Sequence, residues 1–214
     1  KGAYPLHWTR QKNKAKIKYI FETHIHADFV SGHLDLAKKT AATIVFGPNA
    51  NTHYDCYNAL DGETFKVGSL TLKVMHTPGH TLESVSYLLI DAAGKNHALF
   101  SGDTLFLGDV GIPDVAQQYK DLSKEKLAEM LFESLRSKIM PLEDNIILYP
   151  AHGAGSACGK NMSKETIGTL GDQKSSNYAL RADMTKEEFV SEVLKSIGSP
   201  PPYFIENILL NKTG

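Results

Sequence analysis

The sequence predicts an α+β domain in which two β-sheets pack face to face and helices cover their outer sides. Short apolar segments typical of strands alternate with amphipathic segments typical of helices. Turn residues join neighbouring strands into hairpins in the middle of the chain, which argues against a purely parallel βαβ sheet. The length of 214 residues, with 42% hydrophobic and 22% charged residues, fits one domain over residues 1–214.

The predicted strands are short, and residues that turn or stop the chain lie between them. Gly68 and Ser69 form a tight turn between two strands. Gly47 with Pro48, and later Pro150, end the strands that precede them. In chain order, the predicted strands cover residues 17–21, 43–46, 63–67, 70–75, 85–90, 97–100 and 146–149.

The predicted helices carry capping residues at their starts. Ser31 and Ser123 are candidate N-caps, and Thr185 with Glu188 forms a capping box. Cys56 is assigned to a further short helix, in a structural role. The main predicted helices cover residues 34–39, 124–139, 164–174 and 185–197.

Charge and composition exclude several classes of protein. The 23 basic and 24 acidic residues give a net charge of -1, which is too small to gather nucleic acid or an anionic membrane. No apolar run approaches the ~18 residues of a membrane span. Because Cys56 and Cys158 are too few for a disulfide framework, we expect a reducing compartment and a cytoplasmic protein.

The strongest chemical signal is a cluster of ligand-type residues directly after the first strand. His24, His26 and Asp28 alternate along the chain, so they point to one side while the backbone stays extended. Two imidazoles and a carboxylate that converge on one spot indicate a metal site or a strongly coupled polar cluster.

Three further strands end in the same way. His80 follows the strand over residues 70–75, Asp103 follows residues 97–100, and His152 follows residues 146–149. Glycine or proline beside each of these residues lets the backbone turn sharply. Four such loops at one edge of a sheet pair can form a single site, and this order of motifs is specific.

These motifs resemble those of the metallo-β-lactamase superfamily. Its pattern of His-x-His-x-Asp-His, then a single His, an Asp and a His, runs here from His24 to His152. The resemblance implies that superfamily's αβ/βα four-layer sandwich with metals at one edge. The superfamily has further strands before its first histidine motif, so we expect the first N-terminal strands to be lacking, in a chain that is truncated or lacks an N-terminal stretch.

Position 29 decides between reaction classes. The two-metal hydrolases of the superfamily, such as glyoxalase II, have a histidine there, whereas this chain has Phe29. A phenyl ring has no lone pair, so a second metal would keep only Asp28, His152 and a share of Asp103. One metal is therefore expected, and two histidines with one carboxylate is the set that holds non-haem iron(II) for oxygen chemistry.

Within the superfamily the chain resembles the persulfide dioxygenases, in the bacterial branch whose members often carry a rhodanese domain after the dioxygenase domain. The resemblance implies oxidation of the outer sulfur of a low-molecular-weight thiol persulfide to sulfite with O2. It implies one iron(II) per chain, bound by His24, His80 and Asp103, although zinc or another divalent ion can occupy the site as purified. The motifs that carry it are residues 23–28, 76–80, 102–106, 150–153, 155–161 and 177–180.

The same resemblance assigns roles to the remaining polar residues. His26, Asp28 and His152 would orient the ligands and handle protons as catalytic residues. Cys158, Tyr178 and Arg181 are the candidate substrate contacts, although Cys158 is also a small residue suited to packing, and Arg181 is also suited to a solvated turn. These six residues complete the predicted site.

Two other positions bear on the prediction. The family usually has an arginine at the position of Ile112, so we expect substrate anchoring to differ here. His33, one residue after a glycine, is predicted to be a solvated residue at a helix start, and His76 a packing or supporting residue. His7, His53 and His97 have no neighbouring ligand-type residues, so we assign them no role.

Two alternatives remain open from the sequence. One is a zinc-dependent thioester or lactone hydrolase of the glyoxalase II type, in which zinc activates water. The other is a metal-binding domain without enzymatic activity. The partners expected for the leading interpretation are a thiol persulfide and O2, without nucleic acid or membrane, and the oligomeric state stays open with a homo-oligomer as one option.

Overall fold

The computed structural model of the protein describes residues 15–113, 122–160, 162–195 and 197–214. Within these residues the strands form two sheets. The first sheet is parallel, in the order β1 (Tyr19–Phe21), β2 (Thr43–Phe46) and β3 (Tyr57–Asn58). The second sheet runs in chain order through β4 (Thr64–Val67), β5 (Leu70–His76), β6 (Val85–Ile90), β7 (Asn96–Gly102), β8 (Ile147–Pro150) and β9 (Gly168–Thr169). Its strands are antiparallel except where β7 meets β8.

The described helices lie between and after these strands. They are α1 (His33–Thr40), α2 (Lys124–Ser134), α3 (Leu170–Ser176), α4 (Lys186–Leu194) and α5 (Tyr203–Thr213). A π-helical turn, Leu135–Ile139, continues α2. None of the helices in the described ranges is long and apolar enough to cross a membrane.

The buried side chains show that these elements form four layers. Between the sheets, Val45 of β2 packs in one cluster with Val74 of β5 and Val85 of β6. On the outer face of the large sheet, residues of β5 to β8 pack against α2 and α4. On the outer face of the small sheet, β2 packs against α5 through Phe204 and Ile208. The predicted α+β sandwich is therefore confirmed.

Several local predictions are also confirmed. The Ser123 side chain accepts a hydrogen bond from the Lys126 amide at the start of α2. Thr185 and Glu188 form the predicted capping box at the start of α4, with both reciprocal bonds present. The hairpin at Gly68 joins β4 and β5 in the expected antiparallel register.

Three local predictions are wrong. Gly32, not Ser31, occupies the N-cap of α1, because the Ser31 hydroxyl donates to Glu22 instead. Cys56 lies in a non-helical segment that leads into β3. The helix predicted over residues 164–174 begins only at residue 170, because the residues before it pair with β8 as β9 and Thr169 caps the helix.

Candidate metal centre

Four loops that leave strand ends meet at one edge of the sandwich. They follow β1, β5, β7 and β8, and they carry His24, His80, Asp103 and His152. Gly102 makes the close approach of two of these loops feasible. Its φ is +56°, and a Cβ atom on it would lie 2.7 Å from the Cβ of Thr23. A glycine here therefore lets Asp103 turn towards His24.

The first group of potential metal ligands is fully buried. One ligand atom from each of His24, His80 and Asp103 lies within 4.8 Å of the others. The Asp103 Oδ2 is 3.8 Å from His24 Nε2 and 3.4 Å from His80 Nε2. The three residues are 2%, 3% and 1% exposed.

This group fits a divalent cation. Within the part of the chain that is described, neither carboxylate oxygen of Asp103 has a hydrogen-bond partner. A buried carboxylate without partners is costly, and binding a cation compensates that cost. Two imidazole nitrogens and one carboxylate oxygen are a donor set that iron(II), zinc and related ions accept.

Contacts with a backbone carbonyl and with a side-chain hydroxyl orient the two histidine rings. His80 Nδ1 lies 2.8 Å from the carbonyl oxygen of Ile112. Since a carbonyl only accepts, Nδ1 must carry the proton, and the Nε2 lone pair of a neutral ring then faces Asp103. His24 Nδ1 contacts the Thr23 hydroxyl at 3.0 Å, on the side of the ring away from Asp103.

A second group of potential metal ligands lies beside the first, at the same edge of the sandwich. Ligand atoms of His26, Asp28 and His152 also lie within 4.8 Å of one another. His152 Nε2 is 3.6 Å from Asp28 Oδ2 and 3.5 Å from Asp103 Oδ2. The ring of Phe29 packs against His26 with centroids 4.4 Å apart, and Phe29 is 43% exposed. All six predicted ligand and catalytic residues thus converge, while their roles stay predictions.

Burial and neighbouring charges shift the pKa values of the histidines in opposite directions. Burial lowers the pKa of His24 well below its usual value, and the nearby imidazoles lower it further. Burial also lowers the pKa of His26, but the hydrogen bond and charge of Glu22, with Asp103 and Asp28, outweigh it and raise the pKa overall. His24 is therefore neutral, the form that binds metals, whereas His26 holds its proton more tightly.

Glu22 contacts two histidines next to the site, His26 and His33, and the sequence interpretation missed it. Its carboxylate oxygens lie 3.5 Å from His26 Nε2 and 3.1 Å from His33 Nδ1. Burial raises the pKa of Glu22, but the hydrogen bonds of His26 and His33 bring it down to about 2. Glu22 lies two residues before His24 and four before His26 in the sequence, and this alternation of ligand-type residues is the signal that could have revealed it.

His33 is buried, and its predicted exposure is wrong. It is 4% exposed, and its Nε2 lies 2.8 Å from the hydroxyl of Tyr54. Asn211 of α5 closes the same region, because its side-chain amide donates to the carbonyls of His26 and Phe29, both at 2.8 Å. The C-terminal helix therefore holds the first histidine loop in place.

The three predicted substrate contacts lie in different surroundings. Cys158 is 2% exposed, and its sulfur lies within 4.8 Å of ligand atoms of Asp103 and His152. Tyr178 instead donates to the buried carboxylate of Asp109 at 3.0 Å. Arg181 pairs with Asp183 at 2.7 Å on the surface, as the alternative of a solvated turn residue predicts. Only Cys158 is thus seen beside the metal ligands, and the substrate roles of all three residues stay predictions.

The remaining histidines lie apart from the metal-ligand groups. His76 contacts the carbonyl of Leu82 at 2.8 Å through Nε2 and lies in a packing position. His53 and His97 are exposed. His7 lies outside the described residues, as does Asn161 of the motif over residues 155–161.

Comparisons with known proteins place the chain in one family. No protein-family model matches the chain. A hydroxyacylglutathione hydrolase from Rhodopseudomonas palustris is 33% identical, and the match covers 92% of this chain and 80% of the relative. The crystal structure of a metallo-β-lactamase from Staphylococcus aureus subsp. aureus COL has a TM-score of 0.87 and 33% identity, over 99% of this chain and 62% of that one.

A second solved structure also covers nearly the whole chain. ETHE1 from Myxococcus xanthus has a TM-score of 0.75 and 25% identity, over 97% of this chain and 83% of that one. The chain spans 65% of the length of a probable metallo-hydrolase from Burkholderia pseudomallei that it also matches. On sequence identity and fold together, the chain belongs to the metallo-β-lactamase superfamily.

Proposed function

We propose that this chain is a mononuclear non-haem iron(II) dioxygenase that oxidises the sulfane sulfur of a low-molecular-weight thiol persulfide to sulfite with O2. The observation that carries the proposal is the buried group of His24, His80 and Asp103, in which both Asp103 oxygens lack hydrogen-bond partners within the described residues. Two histidines and one carboxylate with open positions are typical of iron(II) oxygenases. The likeness to ETHE1 supports the same branch.

The surroundings of Phe29 support one metal rather than two. The second group offers one donor each from His26, Asp28 and His152, and His26 Nε2 faces Glu22 at 3.5 Å, which leaves Nδ1 as its donor. Phe29 adds an apolar ring against His26 where an additional imidazole would serve a second ion. A second divalent ion would therefore have three donors but no fourth from position 29 to replace its water shell and offset repulsion from the first.

Different residues of the chain would bind the metal, orient its ligands and handle protons. Iron(II) held by His24, His80 and Asp103 would supply the redox chemistry that O2 requires. The Ile112 carbonyl fixes the ring of His80, and Glu22 fixes the ring of His26. Against the effect of burial, Glu22, Asp103 and Asp28 raise the pKa of His26, so this residue suits proton handling, and Asp28 and His152 orient the groups around it.

A zinc-dependent thioester or lactone hydrolase of the glyoxalase II type is the second candidate. The relatives named hydroxyacylglutathione hydrolase favour it, including the one that is 33% identical over 92% of the chain. The feature against it is Phe29, which offers no lone pair to a second zinc. The two candidates share the metal centre and differ in metal number and in the use of O2.

We further infer that the partners are the small thiol persulfide and O2, without nucleic acid or membrane, and that the protein works in the cytoplasm. The near-neutral charge and the presence of only two cysteines support this. The test of the whole proposal is metal analysis combined with O2 uptake and sulfite release on anaerobically purified protein. Thioester hydrolysis without O2 uptake would instead support the second candidate.

A further inference from the structure

We propose that Asp109 is a positioning residue of the metal centre, because its carboxylate joins the loop that carries Asp103 to the loop that carries His152. Asp109 is fully buried and lies in the loop that follows β7. It belongs to none of the ligand groups found among the described residues, so it would act through its neighbours. The inference rests on the proposed function in one respect: it requires a metal in the group of His24, His80 and Asp103, whichever reaction that metal supports.

Donors from three parts of the chain converge on the Asp109 carboxylate. Its Oδ1 accepts hydrogen bonds from the Val110 amide at 2.8 Å and from the Tyr178 hydroxyl at 3.0 Å. Its Oδ2 accepts one from the Lys160 amide at 2.5 Å. These donors lie in the loop after β7, in the turn that follows α3 and in the loop after β8. One buried side chain therefore connects three segments around the metal centre.

The surroundings of Asp109 favour a carboxylate over an amide. The donors that face its two oxygens are N–H and O–H groups, and an asparagine would turn its NH2 group towards one of them. Burial, followed by the charge and hydrogen bond of Asp109, raises the pKa of Tyr178, so the phenol keeps the proton that it donates. The main chain is held as well, since the Asp109 carbonyl accepts from the Phe106 amide at 2.9 Å and from the Asn177 side chain at 3.0 Å.

The segment that follows Asp109 leads directly to a metal ligand. The Gly111 amide donates to the Asp103 carbonyl at 2.9 Å. A Cβ atom on Gly111 would overlap that carbonyl oxygen, so the segment packs too closely to shift without moving Asp103. At its end, the Ile112 carbonyl accepts the hydrogen bond of His80 Nδ1 at 2.8 Å. A displaced Asp109 would therefore move the group that orients the imidazole of His80.

The same carboxylate fixes the loop that carries His152. Lys160, whose amide donates to it, lies eight residues after His152. The Ile112 amide donates to the Cys158 carbonyl at 3.0 Å, which ties the two loops together a second time. His152 Nε2 and Asp103 Oδ2, one from each loop, are 3.5 Å apart. The hydrogen bonds of the carboxylate thus help to set the spacing of the groups that surround the metal.

The test measures how tightly the metal centre holds cobalt(II), without O2 or substrate. Cobalt-loaded protein is titrated with a chelator, and its visible absorption reports the ligand geometry. Asp109→Asn should raise the dissociation constant of cobalt by about tenfold or more and alter the absorption. Tyr178→Phe removes a single hydroxyl and should raise the constant by about threefold, which keeps the test sharp if Asp109→Asn does not fold.

Two control variants separate positioning from a general loss of stability. Tyr57→Phe removes a hydroxyl–carboxylate bond of the same kind, to Glu63 at 2.7 Å on the exposed surface. Leu72→Ala removes a buried side chain between the sheets and should destabilise the fold in urea. Both should keep the dissociation constant of cobalt within about twofold of the wild type, with unchanged absorption.

Wild-type cobalt affinity and absorption in folded Asp109→Asn, or in Tyr178→Phe, would overturn the positioning role. An equal loss of affinity in Leu72→Ala would also overturn it, because stability alone would then govern metal binding. The readout needs neither O2 nor persulfide. If the protein proves to be a zinc hydrolase, the dioxygenase proposal fails and the cobalt differences remain, whereas absent differences remove only the role of Asp109.

Discussion

The Nδ1 atom of His80 donates its hydrogen bond to the main-chain carbonyl of Ile112, 2.8 Å away. Residue 112 therefore supports the metal centre through its backbone, whatever its side chain. Ile112 itself is buried in the interior, with only 8% of its surface exposed. The contact with His80 therefore does not depend on the arginine that the persulfide dioxygenase resemblance leads one to expect at position 112.

Ile112→Ala should separate these two contributions. The carbonyl remains, so the metal content should stay at about one iron per chain. Loss of the buried side chain should lower the free energy of unfolding by about 2–4 kcal/mol. Metal analysis and urea denaturation measure the two effects. Loss of the iron in a folded variant would show that the side chain, not the carbonyl, maintains the site.

Asp103→Asn should abolish tight metal binding. The change keeps the shape of the side chain but removes the only carboxylate of the group with His24 and His80. Elemental analysis of protein from iron-supplied cells gives the result. Asp61→Asn is the control, because Asp61 pairs with Lys138 at 2.7 Å and belongs to no ligand group within the described residues. Full iron content in Asp103→Asn would remove Asp103 from the ligand set.

Phe29→His should raise bound zinc from about one towards two per chain when zinc is present in the medium. The ring of Phe29 is 43% exposed and lies against His26, so an imidazole can be accommodated there. The change should also lower O2 uptake. Phe29→Leu is the control that removes the aromatic ring without adding a donor. If both variants bind a single metal and keep their oxygenase rate, Phe29 has only a packing role.

Glu22→Gln should lower activity by about 10–100-fold, because it weakens the contact that orients His26. Burial raises the pKa of Glu22, but the hydrogen bonds of His26 and His33 lower it from 4.5 to about 2. The stability that the carboxylate contributes is thus present above pH 4.5 and is lost as the pH falls towards 2.

The difference in unfolding free energy between wild type and Glu22→Gln should therefore shrink with acidification over that range. Urea denaturation at several pH values measures it. A difference that does not change with pH would mean that the Glu22 charge is not stabilised in the fold. His97→Gln, at an exposed histidine, is a control for nonspecific effects of substitution.

Arg181→Ala should leave the KM for persulfide within about twofold of the wild type, since the Arg181 guanidinium is exposed and pairs with Asp183 on the surface. Steady-state kinetics of O2 uptake decide the point. A tenfold rise in KM would restore Arg181 as a substrate contact.

The fold and the main ligands were predictable because their signals are local. The alternation of His24, His26 and Asp28 just after a strand marks the first loop of ligand-type residues, and glycine or proline marks the turns beside His80 and Asp103. The superfamily resemblance then predicts that these loops form one site. Each of these signals is contained within a few residues of sequence.

The errors concern residues whose environment depends on distant parts of the chain. His33 was predicted to be solvated, yet Tyr54 lies against it, and Asn211 of α5 accepts the Tyr54 hydrogen bond through its carbonyl. Ser31 is the predicted cap of α1, but its amide donates to the side chain of Asn211 in α5 at 2.8 Å and its hydroxyl donates to Glu22. Helix and strand propensities do not report such tertiary contacts.

The most direct test of the proposed function is simultaneous O2 uptake and sulfite release by anaerobically purified, metal-analysed protein, with a thiol persulfide and a thioester supplied in parallel assays. The proposal predicts about one iron per chain, O2 consumption with sulfite formation from the persulfide, and no thioester hydrolysis. About two zincs per chain, with rapid thioester hydrolysis and no O2 uptake, would contradict it.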